Sequence, residues 1–310
     1  MSHDLIVLGD CNPDLILSGD VAPAFGQVEK IVEDGRLTLG GSASIVAAGA
    51  ARLGLRTGLV AAIGNDALGR FQAEALERRG VDTGALIRCL DRPTGISVIL
   101  SKGDDRAILT AIGAIESLSC KLIDPGLVAA ARHVHVSSYF LMPRLRTGLT
   151  QLLAEARGAG TTSSLDTNWD PSGSWDDGID EVLASVDVFL PNLNEAMRLT
   201  GAVDATAAAN ALARNTGTVA VKLGGDGALA ISGGERAEVR ATQANVVDTT
   251  GAGDSFDAGF LTGWLAGWPL ERSLRLACAC GSLSTEAFGG TEAQPTLDEA
   301  LAVAGLPASE

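Results

Sequence analysis

Val247-Asp248-Thr249-Thr250-Gly251-Ala252-Gly253-Asp254-Ser255-Phe256-Asp257-Ala258-Gly259-Phe260-Leu261-Thr262-Gly263-Trp264 is the stretch around which the chain is organised. An aspartate and two threonines lead into Gly251-Ala252-Gly253, then Asp254, then a pattern of helical period. A glycine-rich turn entering a helix presents unpaired backbone N–H groups at the positive end of the helix dipole. That is a seat for an anion, most often a phosphate. Asp254 stands at the mouth of this seat and would repel a phosphate unless something lay between them. A hydroxyl attacking phosphorus, with the carboxylate taking its proton, satisfies both groups. The stretch therefore reads as a turn for phosphoryl transfer to a small molecule.

The 310 residues, 46% of them hydrophobic, can bury one large or two small domains. Few aromatics, 38 glycines and abundant Ala, Val and Leu fit an α/β protein with tight strand–helix turns. A net charge of −15 with no basic cluster argues against nucleic acid or an anionic membrane as partner, and reads as a well-solvated surface. Cys11, Cys89, Cys120, Cys278 and Cys280 are scattered and show no C-x-x-C spacing, so they support neither a zinc site nor a disulfide framework. Met1–Gly9 turns polar too soon for a signal peptide, and no apolar run approaches the roughly 18 residues of a membrane span. A soluble, cytoplasmic protein is expected.

Leu5–Gly9 is a continuous apolar run of the kind found in buried parallel strands, and Asp10-Cys11-Asn12-Pro13-Asp14 follows where open α/β sheets bind ligands. Two readings stand for Asp14: a side chain pointing into a site, or a turn aspartate capping its own backbone. Residues 15–39 are not helical and carry β-formers in Val28–Val32 and Arg36–Leu39. Thr94–Ile112 alternates around Gly103-Asp104-Asp105 as a hairpin. Together these predict a small β lid from roughly 14–39 and 94–112, set beside the main sheet. Between them, Gly40-Gly41 opens a small-residue helix closing at Leu53-Gly54. Strands are predicted at Thr57–Ile63, His133–Ser137, Thr162–Asp166, Val186–Leu190 and Val219–Leu223. Helices are predicted at Asp66–Gly80, Leu145–Arg157, Asn194–Thr200, Ala205–Asn215, Leu270–Ala287 and Leu297–Ala304. The alternation predicts one doubly wound domain over 1–310 with a mainly parallel sheet. His133 and His135 share a strand face. With no third ligand near in sequence they read as core histidines rather than a metal pair.

Gly40-Gly41 with its small-residue helix, followed far downstream by D-T-T-G-A-G-D-S-F, resembles the ribokinase-like (PfkB) carbohydrate kinases over essentially the whole chain. Asn12-Pro13-Asp14, Thr94-Gly95, Asp166-Thr167-Asn168, Asn192-x-x-Glu195 and Lys222-Leu223-Gly224-x-x-Gly227 are similar to further family patterns. The resemblance implies that Gly251, Ala252 and Gly253 form the anion hole and that Asp254 is the base. It implies that Asn192 and Glu195 organise Mg²⁺ and phosphate oxygens, Glu195 acting through water. It places Lys222, Gly224, Gly227, Thr249 and Cys278 near ATP, and Asp14, Gly40, Gly41, Ile45 and Asn168 near the sugar. Asp248 and Thr250 match positions that contribute in some members to a monovalent-cation (K⁺) site, and a homodimer through the lid is implied as well. There is no G-K-[ST], so a Walker-type nucleotide site is excluded.

Three positions depart from the pattern. Ile45 stands in place of an asparagine, which removes a polar partner for a sugar hydroxyl. Asp170 replaces an arginine, which argues against a phosphorylated or carboxylated sugar. Cys278 replaces an asparagine near the adenine end. A dinucleotide fingerprint fails because its third glycine would fall at Phe256. Alternatives to a sugar kinase are a nucleoside kinase, with Tyr139, Phe140 and Trp169 as apolar walls if they are not core residues, and a non-catalytic sensor of ATP and sugar.

Overall fold

The computed structural model describes residues 2–102 and 105–307. Among these residues thirteen strands form two sheets. They are β1 (Leu5–Gly9), β2 (Asp14–Ser18), β3 (Asp34–Thr38), β4 (Thr57–Gly64), β5 (Ile87–Cys89), β6 (Ile96–Lys102), β7 (Asp105–Ala111), β8 (His133–Val136), β9 (Thr162–Leu165), β10 (Val188–Phe189), β11 (Thr218–Lys222), β12 (Ala228–Ser232) and β13 (Glu235–Val239). The large sheet runs in the order β13-β12-β11-β10-β9-β8-β1-β4-β5 and the small one β3-β2-β6-β7. The pairs from β4 through β1, β8, β9 and β10 to β11 are parallel, whereas β11-β12-β13 is an antiparallel meander.

Every residue of β1 and β4 is buried, as expected of central parallel strands covered by helices on both faces. The core divides accordingly. Ile6 and Leu8 join Val134, Val136 and Leu153 in one layer. Leu5 and Val7, pointing the other way, join Val46, Phe260 and Leu274 in the second. The expected fold class, a mainly parallel α/β sheet with a small β sheet beside it, is the one found. The lid strands lie within the segments read from the sequence, but Val28–Val32 forms no strand. The partner of β2 is Asp34–Thr38, paired antiparallel from Asp14↔Thr38 to Ser18↔Asp34. Gly103 and Asp104 of the hairpin turn lie outside the described residues.

Other differences have local causes. The single helix expected over Leu145–Arg157 is two, Pro143–Arg146 and Leu149–Gly158, because Gly148 takes a left-handed φ of 92° between them. The hairpin β12–β13 went unread although Gly233 (φ 56°) and Gly234 (φ 89°) form a two-residue turn with both φ positive, the geometry a twisted hairpin needs. His133 and His135 are fully buried and share Ser164, which lies 2.7 Å from His133 Nε2 and 2.7 Å from His135 Nδ1. Burial pushes them down to about 3 and about 4, so both are neutral core groups.

The helix Ala252–Leu265 brings the opening stretch to the carboxyl ends of the strands and packs along Leu270–Ser284. Gly259 makes this contact possible: a Cβ there would sit 2.9 Å from Ala277 Cα and 2.9 Å from Cys280 Sγ. Gly259→Ala is therefore expected to lower stability by about 1–3 kcal/mol through overpacking, a loss larger than the ~1 kcal/mol of helix propensity gained. Urea unfolding checks this, and an unchanged or raised midpoint contradicts it.

Candidate active site

A cavity of about 790 Å³ opens between the large sheet and the lid. Its walls combine the carboxyl ends of β1, β9, β10 and β11, the start of the Ala252–Leu265 helix, and strands β6 and β7 of the lid. Of the residues named from the sequence, Asp14, Gly41, Ile45, Asn168, Asn192, Glu195, Lys222, Gly224, Thr249, Thr250, Gly251, Gly253 and Asp254 line it.

Gly251 is the N-cap residue of that helix, at φ 71°. Ser255 N already bonds Gly251 O at 2.9 Å, so the N–H groups of Gly253 and Asp254 precede the helical ladder and face the cavity end. Gly251 is also pressed against Gly290, whose Cα would lie 2.6 Å from a Cβ at 251. Asp248 braces the turn from behind. One oxygen accepts from Thr250 N at 2.9 Å and Thr250 Oγ1 at 2.8 Å, and the other accepts from Gly289 N at 2.9 Å. Burial raises Asp254 well above the usual carboxylate range, with Asp166 and Asp10 adding to the rise, while Lys222 and a hydrogen bond from Ser42 oppose it.

Asp10 was not singled out in the sequence. It is buried at the end of β1, where its carboxylate accepts from Ser42 N at 3.1 Å and Ala43 N at 3.0 Å. It thereby caps the helix Ser42–Arg52, whose own N-cap residue, Gly41, has no side chain to do so. Asp14, the first residue of β2, is only 5% exposed, and burial with Asp10 and Asp248 nearby raises it to about 7. Gly40 is the reason it fits: a Cβ there would lie 2.2 Å from Asp14 Cγ. The open choice at Asp14 thus resolves toward a side chain on the cavity wall. Asn168, at φ 56°, donates to Ser42 Oγ at 3.0 Å and so joins the polar floor to the same helix.

Asn192 and Glu195 form a capping box on the helix Leu193–Thr200. Asn192 Oδ1 accepts from Glu195 N at 3.0 Å, and Glu195 Oε2 accepts from Asn192 N at 2.9 Å. Burial and Asp166 raise Glu195 to about 7. Lys222, at the end of β11, donates to Asp166 Oδ2 at 2.7 Å and to the two oxygens of Asp257 at 3.1 and 3.2 Å. Burial works against its charge, but Asp166, Asp257 and Glu195 outweigh that and hold it above the usual lysine range. Asp166 and Asp257 were not foreseen as site residues.

Other sequence-named positions lie elsewhere. Gly227, at φ 106°, serves the β11–β12 turn, where a Cβ would meet Val239 O at 2.0 Å. Cys278 is 5% exposed within the core, off the cavity wall. Ile45 packs on Gly290 and reaches the cavity from the same side. Asp170 does not face the cavity: it accepts from Ser172 N at 2.8 Å, Ser172 Oγ at 2.8 Å and Trp175 N at 2.7 Å within its own loop. Its own charge is therefore satisfied within the loop and does not stand in the cavity. Tyr139 and Phe140 are buried core residues, whereas Trp169 is 52% exposed and lines the cavity. Two arginines of the lid reach the catalytic side. Arg106 donates to Thr249 Oγ1, and the Arg36 guanidinium stands 4.7 Å over the Phe288 ring.

Comparison with known proteins agrees with this geometry. The chain matches the pfkB family carbohydrate kinase model over residues 2–297. A 2-dehydro-3-deoxygluconokinase of Bacillus subtilis is 31% identical over 275 residues, covering 84% of this chain and 85% of that protein. A ribokinase of Haemophilus influenzae is 28% identical over 313 residues, covering 97% and 98%. Among solved structures, Arabidopsis thaliana ribokinase complexed with ribose and ATP superposes with a TM-score of 0.84 at 28% identity, covering 99% of this chain and 100% of that one.

The capping box separates a fold role from a site role. Glu195→Gln keeps an acceptor for Asn192 N, so the helix start should survive. The wild-type carboxyl binds its proton more tightly folded than unfolded, so ionisation opposes folding. Its stabilising contribution is whole below the unfolded value near 4.5 and is lost as pH rises through about 7. Relative to Glu195→Gln, the wild type should lose stability between those limits. Thermal melts at pH 5 and pH 8 check this, and a constant difference between the two proteins contradicts it.

Proposed function

Because the chain belongs to the pfkB family of carbohydrate kinases, we propose that it transfers the γ-phosphoryl group of ATP to a hydroxyl of a small sugar or sugar-like substrate, with Asp254 as general base. The observation that carries this reading is the meeting, in one cavity, of a helix-start anion seat at Gly251–Gly253, the Asp254 carboxylate, and Asp14 across from it. An acceptor hydroxyl between Asp14 and Asp254 would have a positioning partner on one side and a proton acceptor on the other. Charge growing on the transferring group would meet the N–H groups of the turn.

The magnesium ion that the family implies fits the residues present. Glu195 offers a carboxylate on the cavity wall beside Asn192, and each oxygen engaged in the capping box keeps a free lone pair. Oxygen donors of this kind suit magnesium held through water. When bound, the ion supplies neutralisation of phosphate charge; the chain's own work is to orient the acceptor, remove its proton and exclude water. The lid serves the last task, since β6 and β7 roof the cavity and Arg106 and Arg36 join the lid to the turn and to Phe288. A homodimer through the lid, K⁺ near Asp248 and Thr250, and a cytoplasmic location belong to the same proposal. The exposed Leu37 and Leu109 of the lid strands, both off the cavity wall, support the first. Among the described residues no helix is long and apolar enough to cross a membrane. A nucleoside acceptor is the second reading, favoured by the exposed Trp169 on the cavity wall.

Assay of Mg-ATP turnover over pentoses, hexoses, ketoses, sugar acids and nucleosides tests the proposal, and absence of any phosphorylated acceptor defeats it. Asp254→Asn should lower kcat at least about a hundredfold while ATP binding changes little. Near-normal turnover by that variant removes the base assignment.

Asp14 adds a pH signature. Its carboxylate, a stronger hydroxyl acceptor than the neutral acid, forms as pH rises through about 7. The KM for the sugar should therefore fall across that range in the wild type and stay flat in Asp14→Asn. A wild-type KM that does not change with pH would count against Asp14 as a sugar contact.

A further inference from the structure

We infer that Lys222 is a positioning residue for phosphoryl transfer: its ammonium, pinned by Asp166 and Asp257 against the Gly251–Gly253 turn, draws Asp254 toward its proton-accepting form against the neighbouring acids that favour the protonated one. The inference rests on the reading of Asp254 as the base, and it differs from a nucleotide contact for Lys222. The geometry gives it three supports.

First, the carboxylates crowd together. Oxygens of Asp166, Asp254 and Asp257 all lie within 4.8 Å of one another. Three like charges so close together cannot all ionise unless a cation is placed among them. Lys222 is the cation the fold supplies, and its side chain is 11% exposed.

Second, the ammonium is fixed from both sides. Asp166, at the end of β9, holds it at 2.7 Å, and Asp257, fully buried, holds it at 3.1 and 3.2 Å. Asp257 stands three residues after Asp254 on the same helix, one turn further and on the same face. The helix that carries the base thus also carries the group that locates its counter-charge.

Third, the lysine packs against the turn itself. A Cβ at Gly253 would lie 3.5 Å from Lys222 Nζ and 3.7 Å from its Cδ. The lysine therefore lies within van der Waals reach of the turn that leads into the base.

The groups around Asp254 come from every neighbouring element. Asp10 stands at the end of β1, Asp166 after β9, Asp257 one helical turn away, and the Ser42 hydroxyl at the start of the small-residue helix; Glu195 faces Lys222 from the capping box. Burial, Asp166 and Asp10 favour the protonated acid at 254, and Lys222 is the cation among the groups opposing them. Removing Lys222 and removing Asp166 should consequently act on Asp254 in opposite directions. An ion pair that only held the fold together would not produce that pattern.

The test is a pH titration of the unliganded protein by infrared difference spectroscopy, with the Asp254 carboxyl band identified by its loss in Asp254→Asn. In Lys222→Met the midpoint should rise by about one pH unit or more, and in Asp166→Asn it should fall by a comparable amount. Lys222→Gln, which can still donate to Asp166, is expected to move as Lys222→Met does and replaces it should that variant not fold. With the sugar found by the acceptor assay, the acid limb of kcat/KM should shift the same way in each variant. Midpoints that stay put, or that move in the same direction in both variants, overturn the inference. Normal turnover by Asp254→Asn would instead remove the base assignment and leave the infrared result to speak for the electrostatics alone.

Discussion

Everything at the cavity depends on how negative charge is tolerated where a phosphate must also come. Asp10, Asp14, Asp166, Glu195 and Asp254 all face it. Each carboxylate would cost several kcal/mol to bury unpaired, so each must be paired, hydrogen-bonded or protonated. The fold assigns them different solutions. Asp10 spends its charge on the N–H groups of the helix Ser42–Arg52. Asp166 pairs with Lys222, and burial with nearby acids pushes Asp14 and Glu195 up to about 7. Asp254 stands at a helix start, where Ser42 and Lys222 favour its charge against burial, Asp166 and Asp10.

The lid and the turn are coupled through the same arrangement. Asp14 begins β2, so the strand that starts the lid also delivers a carboxylate to the cavity. Asn12, just before it, donates to Ser97 of β6 at 3.0 Å, and Ser97 Oγ lies 3.1 Å from Thr110 Oγ1 of β7. A polar chain therefore runs from the end of β1 across the lid. Arg106, on the same strand as Thr110, completes the circuit to Thr249. The Arg106 and Arg36 contacts tie the lid to the turn and to Phe288, and the Asn12–Ser97–Thr110 chain ties it to the end of β1.

Much of this was legible in the residues because local patterns and tertiary demands agreed. Gly251-Ala252-Gly253-Asp254 needed no context: a glycine turn, a carboxylate and then helix period have few physical interpretations, although the helix starts at Ala252, before the carboxylate rather than after it. Central strands such as Leu5–Gly9 declare themselves by unbroken apolar runs. What stayed hidden was set by partners distant in sequence. Asp257 looks like a helix residue amid apolar neighbours until Lys222, 35 positions earlier, is brought to it. Asp10 has no visible task after β1 until the helix at Ser42 arrives to use its carboxylate. Asn192-x-x-Glu195 carried two meanings at once, a capping box and a polar pair on the cavity wall, and the structure realises both.

The argument from Asp170 shows where residue-by-residue substitution reasoning fails. An arginine replaced by an aspartate suggests a reversed charge in the site, hostile to an acidic sugar. Here the loop refolds around the aspartate: Trp175 takes a φ of 55° and gives its N–H to the carboxylate, and Ser172 supplies two more donors. The side chain is satisfied inside its own loop, and Trp169 and Pro171 are what reach the cavity. Meanwhile Arg106 brings a cation to the cavity from β7, on the lid, and its charge acts on Asp14. The charge that faces the cavity is carried by Arg106 on the lid and by the aspartates at the strand ends, and not by the residue at the substituted position.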